Sequence, residues 1–355
     1  MRQLRWGILS TAGIARKAMI PAIQAAPNAR LLAIASESGK ACDVSGQFAI
    51  PRAYHSFLAL LEDPEIDAVY VPLPNSLHAR WVIKAARHGK HVLCEKPAAL
   101  TAREARSMQA ACDQAGVCLM EGYMYRHHPQ HTRVREILES GEIGEVRLVR
   151  GQFSFLLDTT ATNIRLERDS AGGSLHDVGC YPLDVIRRLL GMPDQVSVLG
   201  RVPSELGVDV TASGILRYAD GRQAEFSSSF EQAMVNRYEV VGTHGTLLVP
   251  MAFRPDKQGG VGELVITDEQ RRRRSEFVYG DQYPAQVEAF SAWVLGDRPA
   301  PDPTAELTDQ ARLIEACRQS LEAHQPISSP TPVIVRTRPI TTPDPTDHPF
   351  EEDTP

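Results

Sequence analysis

Three stretches of this 355-residue chain carry side chains whose types and spacing could do chemistry. His91-Val-Leu-Cys-Glu-Lys-Pro97 closes an apolar run with Glu95, Lys96 and Pro97. If that run is a sheet strand, its lysine lies at the carboxyl edge, where open α/β sheets bind ligands. Gly172-Gly-Ser-Leu-His-Asp-Val-Gly-Cys-Tyr181 sets Asp177 and Tyr181 at i and i+4, one face of a helix, with Pro182 tolerable near a helix start. Gly7-Ile-Leu-Ser-Thr-Ala-Gly-Ile-Ala15 stands where a dinucleotide-binding chain carries its glycine fingerprint. The three fingerprint places hold Ser10, Ala12 and Ala15, all small, and Gly13 follows one residue late. A helix starting after Ala12 would offer free N–H groups and a positive dipole end to a phosphate.

The elements around these stretches follow from hydrophobic periodicity. Short apolar runs at Leu4–Leu9, Leu31–Ala35, Ala68–Val71 and His91–Cys94 alternate with amphipathic segments such as Ile14–Ala26 and Ser76–Arg87, the βαβ rhythm of a covered parallel sheet. Thr101-Ala-Arg-Glu104 is a capping box for a helix stopping at Gly116, and Asn75 is suited to cap the helix after the third strand. After Glu121 the pattern changes to long alternating segments at Val146–Leu156, Val208–Tyr218, Arg222–Phe230 and Tyr238–Val249, read as antiparallel strands with one solvated face. Helices are expected from Asp177 to Leu190 and near Ala285–Leu295 and Ala305–His324. Eight prolines between Pro326 and Pro355, ending in acidic residues, predict an extended or disordered tail.

A net charge of −6 argues against nucleic acid or an anionic membrane as partner, and Arg271–Arg274 reads as a solvated hairpin edge. The six cysteines lack C-x-x-C spacing and read as free thiols. Met1–Arg5 leads directly into a strand, so neither an export signal nor a membrane span is expected and the location is read as cytoplasmic. His127, His131 and His176 could be drawn around a metal, but no carboxylate spacing accompanies them and none is expected.

Taken in order, the small-residue turn, Pro74-Asn-Ser-Leu-His78, Glu95-Lys-Pro97, the junction Glu121-Gly-Tyr-Met-Tyr-Arg-His-His-Pro129 and Gly172–Tyr181 resemble the glucose-fructose oxidoreductase / inositol dehydrogenase / MocA family over about residues 4 to 325. The resemblance implies an α/β chain with an N-terminal Rossmann doubly wound parallel sheet in residues 1–122. An α+β substrate domain with a large, mostly antiparallel open sheet, often a dimer interface, follows in 123–325, and the tail occupies 326–355. It implies NAD or NADP held by Ser10, Thr11, Ala12, Gly13, Ile14, Ser36, Glu37, Lys40, Pro72, Leu73, Asn75, His78, Glu95 and Lys96. Lys96 is then catalytic, Tyr181 transfers the proton, and Asp177 orients a hydroxyl or the lysine, with Arg126, His128 and His176 in the substrate shell. The tyrosine, where many members have histidine, is similar to the branch of dihydrodiol dehydrogenases, xylose dehydrogenases and sugar 3-ketoreductases. The implied activity is hydride transfer between nicotinamide and a carbinol or carbonyl carbon of a sugar, cyclic polyol or trans-dihydrodiol. An NAD-retaining glycoside hydrolase and a non-catalytic nucleotide or sugar sensor of the same family are the alternatives.

Two expectations are electrostatic. An ammonium beside Tyr181 would lower the phenol from its usual pKa of ~10 toward phenolate. Glu37, where many members carry arginine, would repel a 2′-phosphate and accept from a ribose hydroxyl, which tilts the cofactor toward NAD. Ala171 replaces the first glycine of the family's usual Gly-Gly-Gly run.

Overall fold

The computed structural model describes residues 2–158, 163–298 and 303–328. Its first sheet holds β1 (Leu4–Leu9), β2 (Ala29–Ala35), β3 (Arg52–Tyr54), β4 (Ala68–Val71), β5 (His91–Cys94) and β6 (Leu119–Glu121), all parallel, in the order β3-β2-β1-β4-β5-β6. The near-continuous apolar runs of β1, β2, β4 and β5 are what strands buried on both faces require. The connecting helices are α1 (Ile20–Ala25), α2 (Ala41–Phe48), α3 (Phe57–Leu61), α4 (His78–Arg87) and α5 (Ala102–Ala115). The capping box forms on α5: Glu104 N donates to Thr101 Oγ1 at 3.1 Å, Glu104 Oε2 accepts from Leu100 N, and Gly116 closes the helix at φ 66°. The strand order reverses between β1 and β4, which opens a crevice beyond their carboxyl ends.

After α6 (Gln130–Glu139) the chain builds a nine-stranded sheet from β7 (Val146–Leu156), β8 (Gln195–Arg201), β9 (Thr211–Arg217), β10 (Gln223–Ser229), β11 (Glu231–Gly242), β12 (Gly245–Val249), β13 (Val261–Asp268), β14 (Arg273–Tyr279) and β15 (Ile327–Ser328). The order is β14-β13-β12-β11-β7-β10-β9-β8-β15, antiparallel except where β7 and β10 run parallel. The alternating segment from Tyr238 to Val249 folds as two strands, β11 and β12, parted by a turn at Thr243 and His244, where Thr243-His-Gly245 is a turn signal in the sequence. β15 pairs with β8, so the first residues assigned to the tail belong to the sheet; the tail beyond Ser328 lies outside the described residues. Helix α7 (Cys180–Leu190) packs on one face so closely that a Cβ at Gly151 of β7 would lie 2.6 Å from Pro182. The opposite face exposes Leu199 and Ile215.

The last helices, α8 (Gln282–Leu295) and α9 (Pro303–Ala323), return to the first unit, a packing that the boundary near residue 122 does not anticipate. Trp6 Nε1 donates to Ser291 Oγ and its ring lies 5.2 Å from Phe290, while Ala102 N donates to Glu315 Oε2 and Val198 N to Ser320 Oγ. Helix α9 thus joins α5 to β8, and the two sheets share helical cover.

Candidate active site

The turn after β1 keeps fingerprint geometry without its glycines. Ser10, at the first glycine's place, has φ 151°, a backbone conformation that side-chain-bearing residues seldom adopt. Its Oγ accepts from Ala12 N, and the chain then runs helically from 13 to 25. Gly13 is exposed, and a Cβ on it would meet nothing within 4 Å. The first N–H groups of that helix have no intrahelical acceptor. A π-turn at Ala15–Met19 accommodates Pro21 a few residues on. These features fit a dinucleotide pyrophosphate. At the end of β2, Ser36 is buried and its Oγ lies 3.4 Å from Thr11 Oγ1 and 2.9 Å from Ser38 Oγ. Glu37 and Lys40 are exposed.

The loops after β4 and β5 are pinned together by His78. Its Nδ1 lies 2.9 Å from Pro97 O and its Nε2 2.8 Å from Leu73 O. Burial lowers its pKa to about 4, so the ring is neutral and its single N–H donates to one carbonyl at a time. Asn75 does not cap α4; its Nδ2 donates to Ala171 O at 3.0 Å, tying the first unit to the second. Pro72 and Leu73 form the same loop wall. Glu95 accepts from Tyr70 OH at 2.6 Å, and burial raises its pKa.

Lys96 crosses from this edge to the second unit. Its Nζ donates to Asp177 O at 2.7 Å and lies 3.2 Å from Asp177 Oδ1. The other oxygen, Oδ2, accepts from Arg165 Nε at 2.6 Å. Burial opposes both charges, but each prevails: Asp177 holds the Lys96 pKa above its ordinary value, and Lys96 with Arg165 holds Asp177 below. Asp177 sits in a π-turn, Leu175–Gly179, that leads into α7, and Tyr181 follows on the same face. Pro182 is therefore well inside a helix that begins at Ser174, and the π-turn ahead of it plays the part expected of a helix start.

The Lys96 ammonium lies over the face of the Tyr181 ring, 5.0 Å from its centroid, while the hydroxyl points to Met124 Sδ at 3.5 Å. Rings of Tyr123, Phe153 and Phe253 surround Tyr181 at 5.5, 5.2 and 5.4 Å. This corrects the expected phenolate: burial first, then Tyr283 and Glu95, raise the phenol's pKa well above 10. The ammonium is spent on Asp177 and the ring face, and the phenol stays protonated.

Three residues expected in the substrate shell are not brought to this group. Arg126 forms a buried ion pair with Asp184, Nη2 to Oδ1 at 2.5 Å, and stacks on the ring of Tyr123, which in turn lies against Tyr181. His128 is buried between Gly260 O at 3.0 Å and Gln130 N. His176 turns its Nδ1 to Gly172 O, and Asp209 and Arg318 are among its charged surroundings. His127 lies against Trp293 and His131 against Tyr238, so the histidines do not converge, and no metal-holding cluster occurs among the described residues. Arg165 is the site residue that the sequence reading missed. It lies in Asn163-Ile-Arg-Leu-Glu-Arg-Asp169, a charged run that looks solvated until the fold brings it to Asp177.

Two family models match: an oxidoreductase family with an NAD-binding Rossmann fold over residues 4–123, and a GFO/IDH/MocA C-terminal domain over residues 131–248. Among similar proteins, D-xylose 1-dehydrogenase (NADP(+)) 2 of Haloferax volcanii is 41% identical over 320 residues, 90% of this chain and 98% of that one. Mouse trans-1,2-dihydrobenzene-1,2-diol dehydrogenase is 32% identical over 76% of this chain and 79% of its own length. A 3-ketoreductase of Actinomadura kijaniata, solved with NADP and TDP-benzene, superposes with a TM-score of 0.84 at 32% identity, covering 90% of this chain and 98% of that one. No described helix is long and apolar enough to cross a membrane. With both sheets, the crevice and these matches in agreement, the chain belongs to the GFO/IDH/MocA family of NAD(P)-binding oxidoreductases.

Proposed function

We propose that this protein is an NADP-using sugar dehydrogenase or reductase, acting on a carbinol or carbonyl carbon in the cleft above Lys96 and Tyr181. The observation that carries the reading is the contact of Lys96, at the carboxyl end of β5 beside β4, with Asp177 and with the Tyr181 ring. Bound nicotinamide supplies or accepts the hydride. Lys96 donates to the substrate oxygen and steadies its negative charge, Asp177 holds the lysine, and the protonated Tyr181 gives its proton to a carbonyl oxygen as the carbon is reduced. In oxidation Tyr181 must first release its own proton to solvent before it can take the one that the substrate hydroxyl gives up.

The lean toward NAD is withdrawn in this reading. Among the described residues nothing pairs with the exposed Glu37, so its carboxylate can swing away, while the Ser36 and Ser38 hydroxyls and Lys40 offer a 2′-phosphate three partners. The Haloferax and Actinomadura relatives, named with NADP, support the same choice. The Haloferax protein also supports a free aldose as substrate. The open sheet face, with Leu199 and Ile215 exposed beside Arg150, Glu225 and Arg237, suits a second copy of the chain. Arg126 and His128 are assigned to the scaffold, and His176 to the packing behind the site. A panel of aldoses, inositols, trans-dihydrodiols and keto sugars, followed at the nicotinamide absorbance with NADP and with NAD in both directions, tests the assignment. Turnover of none of them overturns it.

A further inference from the structure

We propose that Arg165 is the positioning residue that aims Asp177 at Lys96. This rests on the reading of Lys96, Asp177 and Tyr181 given above.

The two oxygens of Asp177 are divided between two cations: Oδ1 to Lys96 Nζ at 3.2 Å and Oδ2 to Arg165 Nε at 2.6 Å. A carboxylate held at both oxygens cannot rotate about its own axis. Without Arg165 both oxygens are free to turn to Lys96, which would draw the ammonium off the Tyr181 ring. The strap that carries Arg165 is itself tied down. Arg165 N donates to Asn163 Oδ1 at 3.1 Å, and Gly173 N donates to Arg165 O at 2.8 Å. A Cβ on Gly172 would stand 2.4 Å from Arg165 O, so the strap and the glycine pair approach as only glycine allows. Asn75, from the nucleotide-binding unit, holds the same turn through Ala171 O. Arg165 therefore reaches Asp177 from a backbone fixed at both ends, one of them on the first unit.

Arg165 is not a core ion pair. Its side chain is 42% exposed, against 17% for Asp177, and Nε is its only hydrogen-bonding side-chain nitrogen among the described residues. Asp177 keeps Lys96 as a partner when Arg165 is removed, so no buried charge is left alone. The fold should tolerate the change, and the loss should be confined to the aim of one carboxylate.

The test compares Arg165→Met and Arg165→Lys with the parent and with Lys96→Met, reading kcat, both KM values, the pH profile of kcat/KM and a crystal structure of the methionine variant. Arg165→Met is expected to lose about 10- to 100-fold in kcat, with the cofactor KM nearly unchanged and the acidic limb of the profile moved upward. Arg165→Lys should recover part of the loss, and the crystal structure should show Asp177 rotated away from its two-cation arrangement. An Asp177 carboxylate that keeps its orientation in Arg165→Met overturns the proposal, whatever the turnover. So does parental kcat in Arg165→Met when Lys96→Met is inactive. If Lys96→Met is itself fully active, the reading of the site fails, and the orientation of Asp177 still decides the part played by Arg165.

Discussion

Lys96 and Asp177, 81 residues apart, join the nucleotide-binding unit to the substrate unit: the lysine ammonium donates to the aspartate's main-chain oxygen at 2.7 Å and lies 3.2 Å from its carboxylate. Their charges keep each other ionised in a site that burial would otherwise neutralise. The ammonium is thereby left over the Tyr181 ring, where the proposed function puts the substrate oxygen.

Lys96→Met should therefore lower kcat by at least about 100-fold, the usual range for loss of a preorganised donor to a developing negative oxygen, with little effect on cofactor affinity. Stopped-flow hydride transfer and a cofactor-binding titration separate the two effects. Parental turnover would remove Lys96 from the chemistry.

Glu37→Arg should raise the NADP-to-NAD ratio of kcat/KM by about tenfold, ~1.4 kcal/mol, by exchanging a mobile carboxylate for a phosphate partner. Lys40→Ala should lower the same ratio. Ratios unmoved in both variants would place the 2′-phosphate elsewhere.

Arg126→Met tests a scaffold role. Asp184 is fully buried and its pKa is held down against burial by Arg126 and then Arg187, so loss of the Arg126 guanidinium leaves the charge to Arg187 and Tyr125 alone, at a cost below the roughly 3–5 kcal/mol of a wholly unpaired buried charge. Thermal unfolding should come at clearly lower temperature while the sugar KM of the folded enzyme is unchanged. A raised KM with parental stability would return Arg126 to the substrate.

Glu121, at the end of β6, accepts from Ala98 N at 2.9 Å, and burial raises its pKa to about 7. A carboxyl raised in the folded state gives stability that is complete below its unfolded value of ~4.3 and is lost as pH rises through about 7. Glu121→Gln keeps the acceptor but cannot ionise. The variant should gain in unfolding temperature relative to the parent between about pH 4 and pH 7 and hold that gain at higher pH. A constant difference between about pH 4 and pH 7 would mean that Glu121 ionises freely.

Leu199→Asp combined with Ile215→Asp should leave a monomer in sedimentation if the open sheet face holds a second copy. Both side chains are exposed on neighbouring strands, so the fold itself should be unaffected. An unchanged assembly would move the interface elsewhere.

Much of this molecule is written in local sequence. The apolar runs of β1, β2, β4 and β5, the Thr101–Glu104 cap and the i, i+4 placement of Asp177 and Tyr181 depend on neighbours in the chain, and each forms where its spacing places it. What depends on contacts between distant segments had to wait for the tertiary structure. Arg165 sits in a run of charges with no periodicity, and only the strap closing on Gly172–Gly173 brings it to Asp177. Asn75 carries the composition of a helix cap, but a carbonyl 96 residues away claims it. The phenol of Tyr181 was expected to be acidified by Lys96. Whether an ammonium acidifies a phenol or stacks on its ring depends on a few ångströms of approach that no spacing encodes. The sequence alone determined on which elements the candidate groups Lys96, Asp177 and Tyr181 lie. The tertiary structure decided which charges meet, because charge pairing and burial depend on distances across the interior, and those exist only once the two sheets and their shared helices have closed on each other.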